Sequence, residues 1–299
     1  MSRSFLRRLA GTLFIVAALF FLVRAVVGRR EELLAYDWSF EGGWLALSIA
    51  LLLCGLMGSA VIWRRVLAAF DHDVALVPLA RVWFVSSLGR YIPGKVWQLV
   101  GVADMARALG IDAVTSITSL ALYMLYATLS ASVLGVYLFP LDAIPALEAP
   151  LVVARWVAPM ALLLLHPALV RAALRIPGRL LKRELRPWRG TTVDAAVLLV
   201  MCTGQWLVYG AAFHAFTASL TDAPIALFPH LVASFALSFV AGYVVVIAPA
   251  GLGAKEGALA LLLSGVMPLG VAAAVAIGAR LWTMTGEVIP ALLLLRRRA

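Results

Sequence analysis

Long uninterrupted apolar segments are the feature that most constrains what this chain can fold into. The stretches 9–27, 43–63 and 193–218 each have about the 20 residues that a helix needs to cross a hydrocarbon layer roughly 30 Å thick. Because 64% of the 299 residues are hydrophobic and only 13% are charged, a water-soluble fold could not bury so much apolar surface. The sequence therefore predicts an all-α polytopic membrane protein, with residues 1–299 forming a single integral membrane domain.

The basic charge of the chain has a simple interpretation in a membrane protein. The formal net charge is +10, but the lysines and arginines cluster at the ends of apolar segments, as the positive-inside rule requires of cytoplasmic loops. We therefore expect no nucleic acid partner. Cys54 and Cys202 both lie within apolar segments, and the four histidines have no metal-ligand spacing. We accordingly expect no disulfide, no metal site and no cofactor.

Six segments have the character of full transmembrane helices, and two further apolar stretches do not. In the first stretch, 79–109, proline and glycine divide the sequence into two arms that are too short to cross comfortably. Its polar residues would also be unfavourable if they faced lipid, so we predict a re-entrant helical hairpin. The second stretch, 227–266, is divided in the same way, although its first arm is long enough to cross alone. The six full spans are predicted near 9–27, 44–63, 114–139, 149–169, 193–218 and 270–295, which gives eight hydrophobic units in all.

The charges of the loops decide whether the second stretch crosses the membrane or forms a re-entrant hairpin. With the N-terminus inside, the inner side collects fifteen lysines and arginines, whereas the outer loops 28–43, 140–148 and 219–226 hold only Arg29 and Arg30. This distribution holds only if 227–266 enters from the outside and returns there. We therefore predict a multi-pass protein of the cell membrane, with both termini cytoplasmic and two re-entrant hairpins.

The two interrupted stretches also resemble each other. A constant shift of 160 positions aligns Lys95 with Lys255 and the Leu-Gly pair at 109–110 with the pair at 269–270. In the predicted topology the two halves, approximately 44–139 and 193–295, have opposite orientations. An inverted repeat of this kind is the arrangement that many secondary transporters use to build a site at the bilayer midplane from broken helices.

Each glycine-rich break is followed by a helix whose unpaired N–H groups and positive dipole end attract anions. A lysine at such a place is penalised by burial and by the dipole, and a bound phosphate or carboxylate would offset both costs. The alternative is that Lys255 pairs with Glu287, and that Lys95 reaches water or pairs with Asp104. The candidate substrate-binding residues are Arg90, Pro93, Gly94, Lys95, Gln98, Gly251, Gly253, Lys255, Glu256, Arg280 and Glu287.

Several of these candidates have structural alternatives that the sequence leaves open. Glu256 lies in a first helical turn, where a carboxylate can cap the helix or pair with a basic residue, and a coupling role remains open. Arg280 and Glu287 are seven residues apart, on one helix face, and fit either a substrate path or a structural ion-pair network. Arg90 fits an interface anchor better than a head-group ligand. The basic loop 171–189 marks the inner leaflet and offers charges for anionic head groups.

The sequences Gly89-Arg90-Tyr91-Ile92-Pro93-Gly94-Lys95 and Pro249-Ala250-Gly251-Leu252-Gly253-Ala254-Lys255-Glu256-Gly257 carry a family resemblance. They resemble the two signature segments of the flippase-like transmembrane region of the lysylphosphatidylglycerol synthase family, and the resemblance spans nearly the whole chain. The family form of the second segment is Pro-Gly-Gly-Leu-Gly-basic-Glu-Gly. Ala250 replaces a glycine, and Lys255 replaces the more common arginine, so the break and the charge remain.

The resemblance implies an integral membrane protein that moves a lipid between leaflets, with glycan-linked or isoprenoid lipids as substrates of stand-alone members. No aminoacyl-transferring domain follows residue 299, so the synthase activity is not expected. The leading hypothesis is a lipid translocase with a cationic midplane site for an anionic phospholipid or an isoprenoid- or glycan-linked lipid. The alternatives are a non-transporting partner of a membrane glycosyltransferase and a lipid-modifying enzyme. Against the enzyme, no nucleophile–base pair, Asp-rich metal motif or Gly-x-Ser-x-Gly occurs.

Overall fold

The computed structural model of the protein describes residues 24, 28–92, 96–181, 187–244, 251 and 253–296. In these ranges every regular element is a helix, and none is a strand. Short 3-10 turns cover Leu88–Tyr91, Leu162–Leu165 and Ile225–Leu227. The α-helices are α1 (Arg30–Ala35), α2 (Gly42–Ala68), α3 (Leu76–Ser87), α4 (Trp97–Arg107), α5 (Ala113–Leu138), α6 (Pro145–Ala161), α7 (Pro167–Leu181), α8 (Thr192–Ala218), α9 (Phe228–Val244), α10 (Ala254–Leu263) and α11 (Leu269–Arg296).

Six of these helical segments are long and apolar enough to cross a membrane. They are α2, α5, α8 and α11, together with α6 and α9 extended by their adjoining 3-10 turns. A helix suits this role because all its backbone hydrogen bonds close within the segment. The prediction of an all-helical, multi-pass membrane protein is therefore confirmed.

Five of these six segments coincide with predicted spans, and the sixth does not. Helices α2, α5, α6, α8 and α11 coincide with five predicted spans, whereas the predicted span at 9–27 lies outside the described residues. The sixth segment of sufficient length is Ile225–Val244, which the sequence assigned to the first arm of the second hairpin.

The loops after α2 and before α8 meet at one end of the bundle, here called the basic end. The backbone N–H of Arg189 donates to the carbonyl of Ala69 at 2.8 Å, and Arg65 forms an ion pair with Asp194 at 2.8 Å. Asp112, just before α5, lies within electrostatic range of His72 in the loop before α3. The basic end therefore contains the loops 69–75, 108–112 and 187–191.

The remaining loops meet at the opposite end, here called the acidic end. The N–H of Ser39 donates to the carbonyl of Leu220 at 3.1 Å, which joins the loop before α2 to the loop after α8. A Cβ added at Gly265 would lie 2.9 Å from the carbonyl oxygen of Ala143, so the loops after α5 and α10 are also in contact. The acidic end therefore contains the loops that the charge pattern assigns to the outer side.

Helices α3 and α4 form a pair that begins and ends at the basic end. They pack closely, since a Cβ at Gly101 would lie 3.3 Å from the Cβ of Ser86. Where the pair turns, a Cβ at Gly89 would lie 2.7 Å from the backbone nitrogen of Gln98, so this approach requires glycine. The tip of the pair is therefore formed by the 3-10 turn Leu88–Tyr91 and the start of α4.

Helices α9 and α10 form a second pair, which begins and ends at the acidic end. His230, near the start of α9, has its Nε2 atom 2.8 Å from the carbonyl of Leu262 at the end of α10. At the other extreme of the pair, a Cβ added at Gly251 would lie 2.8 Å from the Cα of Gly242. The tip of this pair therefore lies between the end of α9 and the start of α10, on the side away from the acidic end.

The two halves of the described chain share one order of helices, in which two long helices flank a packed pair. This order is α2, α3, α4, α5 in the first half and α8, α9, α10, α11 in the second. The shift of 160 positions is not constant along the halves, since their first helices begin at Gly42 and Thr192, a smaller spacing. The start of the last long helix of each half is bound by a carboxylate, which is Asp112 for α5 and Glu32 for α11.

These carboxylates accept backbone hydrogen bonds that would otherwise be unsatisfied at the helix starts. Asp112 accepts from the N–H groups of Val114 and Thr115, both at 3.0 Å, and so caps α5. Glu32, on α1, accepts from the N–H of Gly270 at 2.9 Å and performs the same task for α11. The hydrogen bond from Gly270 holds the pKa of the Glu32 carboxyl below its usual value.

Candidate functional site

The middle of α11 carries two buried charges, and each is bound to a different helix pair. Glu287 accepts a hydrogen bond from the Arg90 guanidinium at 3.0 Å and another from the Tyr91 hydroxyl at 2.7 Å. A second nitrogen of Arg90 donates to the Ser87 hydroxyl at 2.8 Å. These contacts attach the tip of the α3–α4 pair to α11.

Arg280, two turns before Glu287, attaches the other tip. Its guanidinium lies 3.4 Å from a carboxylate oxygen of Glu256, whose side chain is only 3% exposed. The second oxygen of Glu256 accepts the N–H of Gly253 at 2.7 Å, so this carboxylate also caps α10. Arg280 additionally stacks over the ring of Tyr91, at 5.3 Å from the ring centroid. The two tips therefore meet at Arg280.

Lys255 supplies a third positive charge at the same place. It is the second residue of α10, and its Nζ lies 4.7 Å from the centroid of the Phe235 ring, a cation–π contact. Among the described residues, no carboxylate lies within ion-pair distance of Lys255. The cluster of Arg90, Lys255, Arg280, Glu256 and Glu287, here called the charged cluster, therefore has one more positive than negative charge.

The structure describes eight of the eleven predicted site residues. The structure brings the five residues of the charged cluster together, and Gly251 and Gly253 form the turn before α10 with positive φ values of 68° and 82°. Gln98 lies beside Gly89 at the other tip, and its side-chain amide has no hydrogen bond within the described ranges. Pro93, Gly94 and Lys95 lie outside the described residues.

Two of the structural alternatives do not hold. Arg90 is not an interface anchor, because its guanidinium points inward and its side chain is only 27% exposed in the pair with Glu287. Glu287 forms its ion pair with Arg90, at 3.0 Å, and not with Lys255, which lies beyond ion-pair distance. The capping and pairing alternatives for Glu256 are both confirmed, and the partner in the ion pair, which the sequence did not name, is Arg280.

Tyr91 and Phe235 are site residues that sequence reasoning missed. Tyr91 adjoins Arg90 within the first motif, so its position gave a signal, whereas Phe235 is one aromatic residue in an apolar helix and gave none. A glutamine inside an apolar span was also an available signal. Gln205 donates to the Ser59 hydroxyl at 2.6 Å and accepts from the Tyr123 hydroxyl at 3.2 Å, which joins α2, α5 and α8.

This buried polar network lies close to the charged cluster. The Ser59 hydroxyl lies 3.1 Å from that of Tyr209, and both Tyr209 and Tyr123 are within electrostatic range of Arg90. A Cβ at Gly55 would lie 2.6 Å from the Tyr209 ring, so α2 and α8 approach closely there. Small residues and interhelical hydrogen bonds are the usual means by which helices associate in membranes.

Two glycines of the α9–α10 pair should respond oppositely to substitution by alanine. We expect Gly251→Ala to destabilise the protein by about 1–3 kcal/mol, because φ is +68° there and an added Cβ would contact Gly242. Gly257→Ala is the matched control, since open space surrounds Gly257 within helix α10. It should stabilise the fold by about 0.5–1 kcal/mol. Thermal unfolding of both variants in detergent micelles measures the difference, and equal effects would contradict this geometry.

No protein-family model matches the chain, and a search of curated proteins returned no significant match. In the described part of the chain, no group of three or more histidine, cysteine, aspartate or glutamate side chains is placed to hold a metal ion. Any function must therefore be inferred from the charged cluster and its place in the fold.

Proposed function

We propose that this protein is a lipid translocase that moves a lipid with an anionic head group between membrane leaflets. The observation that carries this proposal is Lys255, whose charge has no carboxylate partner among the described residues and lies where two helix-pair tips meet. An anionic phospholipid or an isoprenoid- or glycan-linked lipid phosphate fits this place by charge.

The energetic basis is the cost of an unbalanced charge among apolar helices. A charge in the interior of a membrane bundle costs several kcal/mol unless it is paired or hydrated. Arg90 and Arg280 each have a carboxylate partner, whereas Lys255 is stabilised by the π face of Phe235. The start of α10 adds the positive end of its dipole at the same point. A bound phosphate would offset the excess charge and accept hydrogen bonds from the lysine.

We further propose that the α3–α4 and α9–α10 pairs are re-entrant hairpins related as the two halves of an inverted repeat. The common order of helices supports this, as does the fact that each pair begins and ends at one end of the bundle. In this arrangement the head group binds between the two tips while the acyl or isoprenoid chains remain in the bilayer. Alternating access would then require one tip to move relative to α11.

The proposed topology has a direct test by cysteine labelling in intact cells. We expect a cysteine at position 298 to be protected from a membrane-impermeant reagent added outside, because the proposed topology places fifteen lysines and arginines of the loops and termini on the inner side. A cysteine at Glu41, in the acidic-end loop, serves as the positive control and should be labelled. Labelling of position 298 from outside would exclude both the topology and the inverted repeat.

A vesicle assay tests the transport function itself. The purified protein should move a labelled anionic lipid between leaflets of reconstituted vesicles without altering it chemically. A lipid-modifying enzyme would instead produce a new lipid species, and a non-transporting partner of a glycosyltransferase would do neither. Failure to move any of a panel of anionic phospholipids and isoprenoid phosphates would contradict the proposal.

A further inference from the structure

Helix α7 (Pro167–Leu181) has a different character from the membrane-crossing helices. In the sequence Arg171, Arg175 and Arg179 recur every fourth residue, a spacing that places successive residues on one side of a helix, and they are here called the arginine row. On another side, Val170 is buried and Leu174 packs against the core. The helix rests on the bundle by this apolar side, whereas Arg171 and Arg175 are exposed.

The contacts of α7 place it at the basic end. The guanidinium of Arg171 donates to the carbonyl of Gly190 at 3.2 Å, and the neighbouring Arg189 N–H donates to Ala69. Ala69 immediately follows α2 and begins the loop that leads into α3. The arginine row therefore lies at the same end as the base of the α3–α4 pair.

Arg171 and Arg175 differ from three other arginines at this end in how their charge is balanced. Arg64, Arg65 and Arg189 form ion pairs with Asp73, Asp194 and Asp71, respectively. Arg171 and Arg175 have no carboxylate within ion-pair distance in the described part of the chain. Helix α7 therefore presents positive charge that the described side chains around it do not neutralise.

Exposed apolar residues around this charge indicate the nature of its partner. Leu169 is 49% exposed within α7, and Leu163 and Leu164, just before the helix, are 65% and 54% exposed. On a surface that faced only water, the exposure of these leucine side chains would be unfavourable. Apolar side chains next to arginines are typical of a helix that lies in the membrane interface, with its apolar residues toward acyl chains and its charges among head groups.

We infer that α7 is an interfacial helix that binds the anionic head groups of the bilayer and concentrates these lipids beside the base of the α3–α4 pair. The bound group is a lipid phosphate in the leaflet at the basic end. This role is distinct from the proposed translocation and can be tested without measuring transport. If the transported lipid is also anionic, α7 raises its local concentration at one mouth of the protein.

The test places an environment-sensitive fluorophore on the helix in the full-length protein. Ala172, exposed beside the arginine row, is replaced with cysteine in a Cys54→Ser/Cys202→Ala background and labelled. The protein is reconstituted in phosphatidylcholine vesicles that contain a minor fraction of brominated phosphatidylglycerol or brominated phosphatidylcholine. We expect stronger quenching by the brominated phosphatidylglycerol, because it is enriched around the probe. Raising the sodium chloride concentration should weaken this preference by screening.

Substitutions then test whether the arginine row causes the preference for phosphatidylglycerol. Arg175→Gln should lower the enrichment of phosphatidylglycerol by about fivefold, which corresponds to the roughly 1 kcal/mol that one basic residue contributes near an anionic surface. Arg175→Lys should retain most of the enrichment, and Arg30→Gln, on α1 at the acidic end, should leave it unchanged. The salt titration needs no variant, so the test does not depend on the folding of Arg175→Gln.

Three results would overturn the inference. The first is equal quenching by the two brominated lipids, and the second is a preference that neither salt nor Arg175→Gln reduces. The third is loss of the preference on adding inorganic phosphate but not on adding sodium chloride of the same ionic strength. That last result would assign the arginine row to a soluble anion. Transport activity enters none of these outcomes, so they do not bear on the translocase proposal.

Discussion

A folded Lys255→Gln protein should lose most of its transport of an anionic lipid, by roughly 10- to 100-fold. Glutamine keeps much of the bulk and the hydrogen-bonding capacity of lysine but removes the charge. A hydrogen bond to a charged group contributes about 1.5–3 kcal/mol, which gives the expected range. Reconstituted vesicles with a labelled anionic lipid provide the measurement, and thermal unfolding confirms that the variant is folded.

The size of this effect follows from the surroundings of Lys255. Its ammonium group lies over the Phe235 ring among apolar helices, where the effective dielectric constant is far below that of water. An exposed arginine at the basic end is screened over about 8 Å in physiological salt. Neutralising the basic residues of the segment 171–189 should therefore change insertion or attraction to the inner leaflet more than the transport step.

Related variants separate charge from geometry. Lys255→Arg should retain part of the activity, because the charge persists while the shape of the donor changes. We expect transport to depend also on Lys95 and on Glu256, which holds Arg280 and the start of α10 in place. Unaltered transport by a folded Lys95→Gln/Lys255→Gln double variant would exclude the cationic-site mechanism.

The largest effect on stability is expected at the Arg90–Glu287 pair. Arg90→Met removes one partner and leaves a carboxylate that is only 11% exposed without its counter-ion. Removing one partner of a buried ion pair costs about 3–5 kcal/mol, and the 27% exposure of Arg90 places this pair near the lower value. Unfolding of the purified protein in mixed micelles measures the change in free energy.

A matched pair at the protein surface provides the control. Arg65→Met breaks an ion pair with Asp194 in which the side chains are 50% and 28% exposed, and it should cost about 1 kcal/mol or less. The double variant Arg90→Met/Glu287→Met should recover most of the lost stability, because no unpaired charge remains. Equal costs for Arg90→Met and Arg65→Met would show that the interior pair is not the link between the α3–α4 tip and α11.

The sequence identified the membrane-crossing helices where length and apolarity act alone. Helices α2, α5, α6, α8 and α11 follow from runs of apolar residues, because such a run in lipid must satisfy its own backbone hydrogen bonds. The start of α10 at Ala254 also follows locally, from the glycines before it and from Glu256, which caps it. Both results depend on residues that are close in sequence.

The identity of the partners within the charged cluster depended on the tertiary structure. The sequence selected Arg90, Glu256, Arg280 and Glu287 because charges inside apolar segments are costly, but it offered Lys255 as the partner of Glu287. Packing instead brings the α3–α4 tip to one turn of α11 and the α9–α10 tip to an earlier turn, so each carboxylate meets a different arginine.

The sequence by itself therefore determined which long apolar segments are helices and which buried charges needed partners, whereas it assigned 171–181, which belongs to helix α7, to a loop. Tertiary structure decided which partners these charges found, and it placed Lys255 against Phe235 with no carboxylate of the described residues within ion-pair distance. The physical reason is that helix formation and the cost of burying a charge are set by local sequence and solvent, whereas an ion pair requires two side chains from distant segments to lie within about 4 Å. That distance depends on how the helices pack.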